Sequence, residues 1–371
     1  MKNKLKNYMI ITLSTLLILS LGVILFMQMP MFGKQASGNR LSIIKVSPNY
    51  KNGEFQNISP TSMLSEDASY WSMTKEYFFK KVKEPESNLP TKKTNLLKLD
   101  PSENILVWMG HSSYFMQLDG KTILVDPVLS GSASPLWFSI EAFAGSDIYN
   151  PDDLPTIDYL FITHDHWDHM DYKTLGQLQS KIKKVICPLG NGSHLEHWGF
   201  HKSVIFEEDW NKTLLFDNNF TVHITPARHF SGRGFKRNQT LWASFVLCTP
   251  SAKVFIGGDG GYDTHFAEIG NKYGPFDLAI LENGQYDKSW KYIHMMPHEV
   301  LKATSDLKAK ALLPVHSGKF TLGNHNWDEP LNKITQNQAK NSFRILTPQI
   351  GEQVNLNDST QQFTQWWKEI K

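Results

Sequence analysis

The stretch YLFITHDHWDH, residues 159–169, decides the fold of this 371-residue chain. Its first residues form a mainly apolar run typical of a buried strand, and its last six are His164, Asp165, His166, Trp167, Asp168 and His169. Imidazole nitrogen and carboxylate oxygen are ligands that Zn²⁺ prefers. Because the pattern H-x-H-x-D-H rarely arises by chance, it predicts a metal site and not a solvated polar turn.

Three more candidate ligands stand just after apolar runs elsewhere in the chain. His229 comes after FTVHITPA, Asp259 after KVFIGG and His316 after ALLPV. Ligands gather at strand ends because the sheet fixes their origin while the loops vary. Each of these positions alone would be ambiguous, since a single histidine is more often an ordinary surface or core residue. Together with the 164–169 cluster they predict one site.

The runs around the cluster predict a layered α/β domain. ILVWMG, SYFMQL and KTILVDP lie near its start, and Asp119-Gly120 between the last two predicts a β-hairpin because both residues tolerate positive φ. Further apolar runs begin at 184, 220, 242, 253, 277 and 311, and helix-like segments cover 172–180 and 297–308. Strands mixed with helices indicate one large domain.

The N-terminus predicts a membrane anchor. Lys2, Lys4 and Lys6 precede an uncharged stretch over 8–33 that is long enough to span a bilayer. A cleaved signal peptide is the alternative, but its apolar region usually covers about 7–15 residues and precedes a small-x-small cleavage site. The positive-inside rule places the N-terminus in the cytoplasm and the catalytic domain on the periplasmic or extracytoplasmic side.

Composition and charge suggest the remaining organisation. We expect a cytoplasmic stub and anchor (or signal peptide) over 1–36, a loop-rich lead-in with one short helix that wraps the main domain over 37–100, and the main domain over 101–371. A net charge of +2 without a basic run gives no support for a nucleic-acid partner. Nothing in the composition indicates an oligomeric state.

Several residue blocks resemble the metallo-β-lactamase superfamily, in which H-x-H-x-D-H and later His, Asp and His bind two metals. The similarity covers most of 101–320, and it is greatest to bacterial members of the N-acyl phosphatidylethanolamine phospholipase D branch. The blocks that carry it are GHSSYFMQLDGKTILVDPVLS, THDHWDHMD, TPARHFSGR, GGDGGY and LPVHSGKF. The resemblance implies a four-layer αββα sandwich, here preceded by a transmembrane helix.

The resemblance also implies two Zn²⁺ per chain. One would be held by His164, His166 and His229, the other by Asp168, His169 and His316, with Asp259 as the bridge. An anionic bridge offsets the repulsion between dications about 3.5–4 Å apart, and the pair would lower the pKa of a shared water so that hydroxide exists near neutral pH. Asp168 is also expected to orient that hydroxide, and no protein nucleophile is needed.

Four further positions take roles from the resemblance. Asp126 and Asp165 are expected to accept the second ring N–H of ligand imidazoles. Trp167 and His294 match places that contact substrate. The branch usually has tyrosine where Trp167 stands, so an aromatic wall is expected without a phenolic role. His294 would contact phosphate or protonate the leaving group, and a surface histidine is the alternative.

The leading hypothesis is phospholipase D-type hydrolysis of N-acyl phosphatidylethanolamine by an anchored enzyme. A lactonase or soluble phosphodiesterase with the same metal site is the second, since fold does not fix substrate. A non-catalytic, membrane-tethered zinc-binding protein is the third, and the intact set of seven ligand positions argues against it. An apolar groove beside the metals would favour lipid, whereas a small basic pocket would favour a phosphorylated sugar.

Overall fold

A long apolar helix and a short lead-in precede the sheets in this computed structural model, which describes residues 2–79, 83–136, 138–336, 338 and 341–370. Helix α1 (Lys2–Met27) contains the segment Asn3–Met27, which is long and apolar enough to cross a membrane and is exposed up to residue 25. The lead-in holds α2 (Gly38–Lys45), the two-residue strands β1 (Tyr50–Lys51) and β2 (Glu54–Phe55), and α3 (Tyr70–Phe79). The lead-in therefore contains two α-helices, α2 and α3, where one short helix was predicted.

The first sheet has seven strands in the spatial order β16-β3-β4-β5-β6-β7-β8. Its strands are β3 (Ile105–Trp108), β4 (Tyr114–Leu118), β5 (Lys121–Val125), β6 (Tyr159–Phe161), β7 (Val185–Pro188), β8 (Ile205–Glu208) and β16 (Gln353–Asn355). The predicted hairpin is β4–β5, with Asp119 and Gly120 at φ 47° and 73°. From β5 to β8 the strands run parallel.

The second sheet also has seven strands, in the spatial order β15-β14-β13-β12-β11-β10-β9. Its strands are β9 (Thr213–Leu215), β10 (Thr221–Thr225), β11 (Ser244–Cys248), β12 (Lys253–Ile256), β13 (Leu278–Glu282), β14 (Ala311–Val315) and β15 (Arg344–Ile345). β12 to β15 are parallel, and β9 to β12 are antiparallel.

Three buried layers hold the sheets and helices together. Along β3, Leu106 and Trp108 point into the core between the sheets, whereas Val107 points to the helices outside, as the two-residue period of a strand requires. The outer helices of the first sheet are α4 (Tyr172–Leu178) and α5 (Asn191–His197), and those of the second are α6 (His265–Tyr273), α7 (Pro297–Asp306) and α8 (Glu329–Thr335). This arrangement confirms the αββα sandwich.

The loops at one edge of the sandwich carry the site. The segment after β6 belongs to the first sheet, while the residues after β10, β12 and β14 belong to the second. Backbone hydrogen bonds join the two sets of loops: His111 N donates to Ser317 O, and His316 N donates to His111 O, both at 2.9 Å. Both histidines have positive φ, 52° and 67°, a conformation that histidine adopts more readily than bulky residues.

Candidate metal centre

Three imidazoles converge to form what we call the histidine half of the site: His164, His166 and His229. His166 Nδ1 lies 2.9 Å from His164 Nε2 and 3.2 Å from His229 Nε2. His164 and His166 are two residues apart on an extended segment, so their side chains point the same way. His229 arrives from the other sheet, after β10.

Hydrogen bonds on the far side of two rings direct lone pairs toward the point of convergence. His229 Nδ1 lies 2.9 Å from Ile293 O, which can only accept, so Nδ1 carries the proton. Thr163 Oγ1 donates to Asp126 Oδ2 at 2.6 Å and is thereby left to accept from His164 Nδ1 at 2.9 Å. In both rings Nε2 is the unprotonated nitrogen, and these tautomers are inferred from the partners.

Burial keeps the histidine half neutral. Desolvation lowers the pKa of His164 and His229 and brings that of His166 to about 4, and repulsion among the rings acts in the same direction on His164 and His229. Neutral imidazoles with lone pairs held a few ångströms apart need a cation between them, and neutral imidazole is the form that binds metal.

The carboxylate half consists of Asp168, His169 and His316. Asp168 Oδ2 lies 3.5 Å from His169 Nε2. Behind His169, Asp126 Oδ2 lies 2.7 Å from Nδ1, and behind His316, Ser112 Oγ lies 2.8 Å from Nδ1. Although burial favours the neutral ring, the carboxylates of Asp259, Asp168 and Asp126 raise the pKa of His169.

Asp259 lies between the two halves. Its Oδ2 is 3.1 Å from His169 Nε2, 3.2 Å from His316 Nε2 and 4.0 Å from His229 Nε2. Burial opposes its ionisation, but His169 and His316 hold the pKa of Asp259 well below the usual value. Its Oδ1 is buried and has no hydrogen-bond partner among the described residues.

These observations fit a pair of cations. A buried, unpartnered carboxylate oxygen and converging imidazole lone pairs are costly unless positive charge lies beside them. The donor set of five imidazoles and two carboxylates suits zinc and other first-row divalent metals. His164, His166 and His229 would hold one ion, Asp168, His169 and His316 the other, and Asp259 is positioned to touch both.

Sequence reasoning missed His111. Its buried ring lies with Nε2 2.8 Å from Asp168 Oδ2 and with its centroid 4.1 Å from that of His316. Nε2 can donate to the carboxylate and so fix the direction of the oxygens. The signal was present, because His111 follows the apolar run ILVWMG as the predicted ligands follow theirs.

Glu282 was also missed, although it ends the run DLAILE. Its Oε2 lies 2.5 Å from His294 Nδ1, and its Oε1 accepts from Met295 N at 2.8 Å. The buried carboxylate thus orients the ring of His294, which stacks at 5.3 Å on His316. Although burial favours the neutral ring, Glu282, followed by Asp259 and Asp168, raises the pKa of His294 to about 9.

Two predicted contacts take a different form in the structure. Asp165 points away from the ligand imidazoles because it alternates with His164 and His166. Its Oδ1 accepts from Gly232 N at 2.7 Å, and its Oδ2 lies 3.4 Å from His194 Nε2, so we correct the expectation that it accepts from a ligand imidazole. Burial raises the pKa of Asp165, but the neighbouring His194 lowers it, with smaller contributions from His166 and Arg233. The pKa of Asp165 is brought to about 2.

Trp167 likewise lies apart from the cavity at the site. The Arg233 guanidinium lies 4.0 Å from its ring centroid, and Phe32 packs edge-on at 5.1 Å. The cavity itself, of about 290 Å³, is lined beside the metal ligands by Met63, Leu64, Met73, Phe230, Arg237, Gln285, Trp290, Ile293, His294 and Leu322. An aromatic wall is therefore supplied by Phe230 and Trp290, and Trp167 does not contribute to it.

Comparison with known proteins bears on this geometry. The profile described as the beta-lactamase superfamily domain matches residues 121–317, just over half of the chain. The chain belongs to the metallo-β-lactamase superfamily. This superfamily member is 34% identical to a protein of Mycobacterium tuberculosis over 346 residues, which cover 88% of this chain and 89% of that one.

Two further comparisons refine the assignment. An N-acyl-phosphatidylethanolamine-hydrolyzing phospholipase D of Caenorhabditis elegans is 29% identical over 280 residues, covering 67% of this chain and 77% of its own. The crystal structure of Igni18, a metallo hydrolase from Ignicoccus hospitalis, matches with a TM-score of 0.51 at 20% identity, covering 68% and 98%. The likeness to Igni18 shows the fold alone. The superfamily and its relatives show a metal-dependent hydrolase that resembles the phospholipase D branch, so the predicted family and the predicted hydrolase class are confirmed.

Proposed function

We propose that this hydrolase cleaves a phosphodiester bond of a phospholipid, N-acyl phosphatidylethanolamine, in the manner of a phospholipase D with two zinc ions. The observation that carries the proposal is the cavity wall. Its apolar members are Met63, Leu64, Met73, Phe230, Trp290, Ile293 and Leu322. Such a wall suits acyl chains, which gain free energy from leaving water.

Charge at the cavity also favours a phosphodiester. Of the described residues that line it, Arg237 is the single lysine or arginine, whereas a phosphorylated sugar would call for a more basic pocket. Arg237 together with the cations can accept the one negative charge of a diester.

The proposed hydrolysis assigns separate roles to the metal pair and to Asp168. When bound, the metal pair supplies hydroxide near neutral pH and polarises the phosphoryl oxygen. Asp168, held by His111, can accept a hydrogen bond from the attacking hydroxide and so fix its direction. Oxygen adds to phosphorus, the bond from phosphorus to the ethanolamine oxygen breaks, and the products are phosphatidic acid and N-acylethanolamine.

His294 is proposed to protonate the leaving oxygen. Glu282 holds the proton on Nδ1, which leaves Nε2 as the nitrogen that can hold a second proton and give it to the ethanolamine oxygen. Cations beside Asp168 and Asp259 would offset the contribution of those carboxylates, so Glu282 would be the group that keeps the ring protonated.

The anchor belongs to the same proposal. A membrane substrate is concentrated in the bilayer, and a domain tethered by α1 meets it without a separate binding step. We propose that the catalytic domain lies on the periplasmic or extracytoplasmic side, because Lys2, Lys4 and Lys6 precede the apolar helix.

The test uses the purified full chain with N-acyl phosphatidylethanolamine in vesicles. Metal content and release of phosphatidic acid are measured in wild type, in Asp168→Asn and in Leu215→Ala, a control at an exposed position on β9. We expect two zinc ions per chain, equimolar products in wild type and control, and loss of turnover in Asp168→Asn. Two metals without lipid turnover would contradict the phospholipid substrate and direct the search to lactones and soluble phosphodiesters.

A further inference from the structure

The segment 29–34, which we call the strut, joins α1 to the lead-in and is docked on the catalytic domain. Trp198 Nε1 donates to Pro30 O at 2.7 Å, and Lys34 N donates to His194 Nδ1 at 3.0 Å. Both partners are buried. The link between membrane helix and domain is therefore fixed by specific hydrogen bonds.

Arg233 connects the strut to the loop that carries the metal ligands. This arginine is 4% exposed. Its Nε and Nη2 donate to Met31 O at 3.0 and 2.8 Å, while Nη1 donates to Asp165 O and Met170 O, both at 2.8 Å. Loss of the strut would leave buried guanidinium donors unpaired, which costs more than a missing surface contact. Cleavage of the chain within or beyond the strut would therefore cost stability.

Aromatic contacts continue the connection into α1. Phe32 packs edge-on against Phe26 of α1 and against Trp167 of the ligand loop, with ring centroids 5.1 Å apart in both cases. Only Gln28 separates α1 from the strut. A single residue between two packed elements cannot act as a flexible tether, so the anchor and the domain hold a defined relative orientation.

The loop 230–237 places the cavity beside the end of α1. Phe230 and Arg237 line the cavity. Between them, Gly234 lies against Met27 of α1, because a Cβ at Gly234 would be 2.9 Å from Met27 Cε. The neighbouring Phe235 is 84% exposed. A bilayer that surrounds α1 must therefore pass close to Phe235, which we call the tip of the loop 230–237.

The surface around the tip has the chemistry of a membrane contact. Lys236 and Arg237 are exposed beside Phe235 and can attract anionic headgroups. Across the cavity, α3 contributes Met73 to the wall and leaves Trp71 79% exposed. Exposed aromatic side chains flanked by basic ones are typical of interfacial contacts.

We propose that the strut holds the mouth of the cavity against the bilayer that α1 spans, with the side chain of Phe235 in the lipid. The enzyme would then take its substrate from that same membrane. The last step rests on the proposed lipid substrate. The docking and the lipid contact of Phe235 do not, and they can be measured without turnover.

The first experiment measures the contact directly. Nitroxide labels are attached to the full chain at Phe235→Cys and, as a matched exposed control, at Leu215→Cys, in a Cys248→Ser background, since Cys187 is buried. In phosphatidylethanolamine and phosphatidylglycerol vesicles, electron paramagnetic resonance compares collisions with oxygen and with a water-soluble nickel chelate. We expect the label at 235 to favour oxygen and the label at 215 to favour nickel. Equal, aqueous behaviour at both positions would overturn the lipid contact.

The second experiment tests the strut. A Gly/Ser insertion of about ten residues between Gln28 and Met29 adds roughly 16–19 Å of flexible chain and leaves the strut's own contacts intact. We expect the label at 235 to lose its preference for oxygen and to shift toward the aqueous value of the control. An unchanged preference would overturn the strut as the element that orients the domain. Metal content verifies that the inserted chain is folded.

Discussion

The histidine half and the carboxylate half of the candidate metal centre are supported by different neighbouring groups. In the histidine half, His164 and His229 donate to a hydroxyl and a backbone carbonyl, both neutral. In the carboxylate half, His169 is backed by the charged Asp126, and Asp168 is held by His111. Each half draws ligands from both sheets or from the loops that join them.

The difference concerns charge: one half of the buried site consists of neutral imidazoles, and the other contains a carboxylate paired with imidazoles. The histidine half has lone pairs without compensating positive charge, so we expect its geometry to depend on a bound cation. In the carboxylate half, Asp168 lies beside imidazoles, and Asp259 lies beside two rings of the same half. Ion pairs therefore hold this half partly in place without a metal. Charged supports are costly to break when buried, whereas neutral ones are worth about 1 kcal/mol.

Asp259→Asn removes the charge that the two halves share. Both should be affected, because Oδ2 lies between ligands of each. We expect turnover to fall at least about a hundredfold, the scale seen when a preorganised electrostatic group is lost, and the zinc content to fall below two per chain. Wild-type turnover with two zinc ions would show that the halves are independent and that Asp259 is not a bridge.

Asp126→Asn tests the charged support of the carboxylate half. Asparagine tolerates the φ of 41° at this position but brings no charge to His169. Zinc affinity, measured by chelator competition, should fall about 10- to 100-fold, as for other partners of ligand imidazoles. Asp165→Asn is the matched control, since that buried carboxylate touches no ligand ring among the described residues. An equal loss in both variants would mean that overall charge matters more than the hydrogen bond.

His111→Asn tests the residue that holds Asp168. Asparagine again suits the left-handed backbone but is too short to reach the carboxylate. Loss of a hydrogen bond to a charged group costs about 1.5 kcal/mol at the lower end, so kcat should fall roughly tenfold. His201→Asn, at an exposed position, should retain wild-type kcat. Unchanged kcat in His111→Asn would show that Asp168 needs no second partner.

Ser112→Ala should have the smallest effect of the four. It removes the neutral hydrogen-bond partner of His316 Nδ1 within the carboxylate half. We expect zinc affinity to fall about fivefold, in keeping with about 1 kcal/mol for a neutral hydrogen bond. A loss as large as that in Asp126→Asn would remove the distinction between charged and neutral supports.

The ligands were predictable because they follow local rules. H-x-H-x-D-H places four candidate ligands within six consecutive residues. His229, Asp259 and His316 follow apolar runs that form β10, β12 and β14 in the structure. The same rule would have found His111 and Glu282. Four strands escaped prediction because none of them contains more than two consecutive apolar residues: β8 (IFEE), β9 (TLL), β15 (RI) and β16 (QVN).

The sequence by itself determined the fold class, the apolar helix at the N-terminus and the set of candidate ligands, because hydrophobic period, length and motif spacing are local properties. Tertiary structure alone decided that Asp165 turns from the ligands to Gly232, that Trp167 packs on Arg233 and Phe32, and that Glu282 faces His294. Those contacts join residues far apart in the chain. Their distances follow from how two sheets pack and how the strut docks, which no local pattern records.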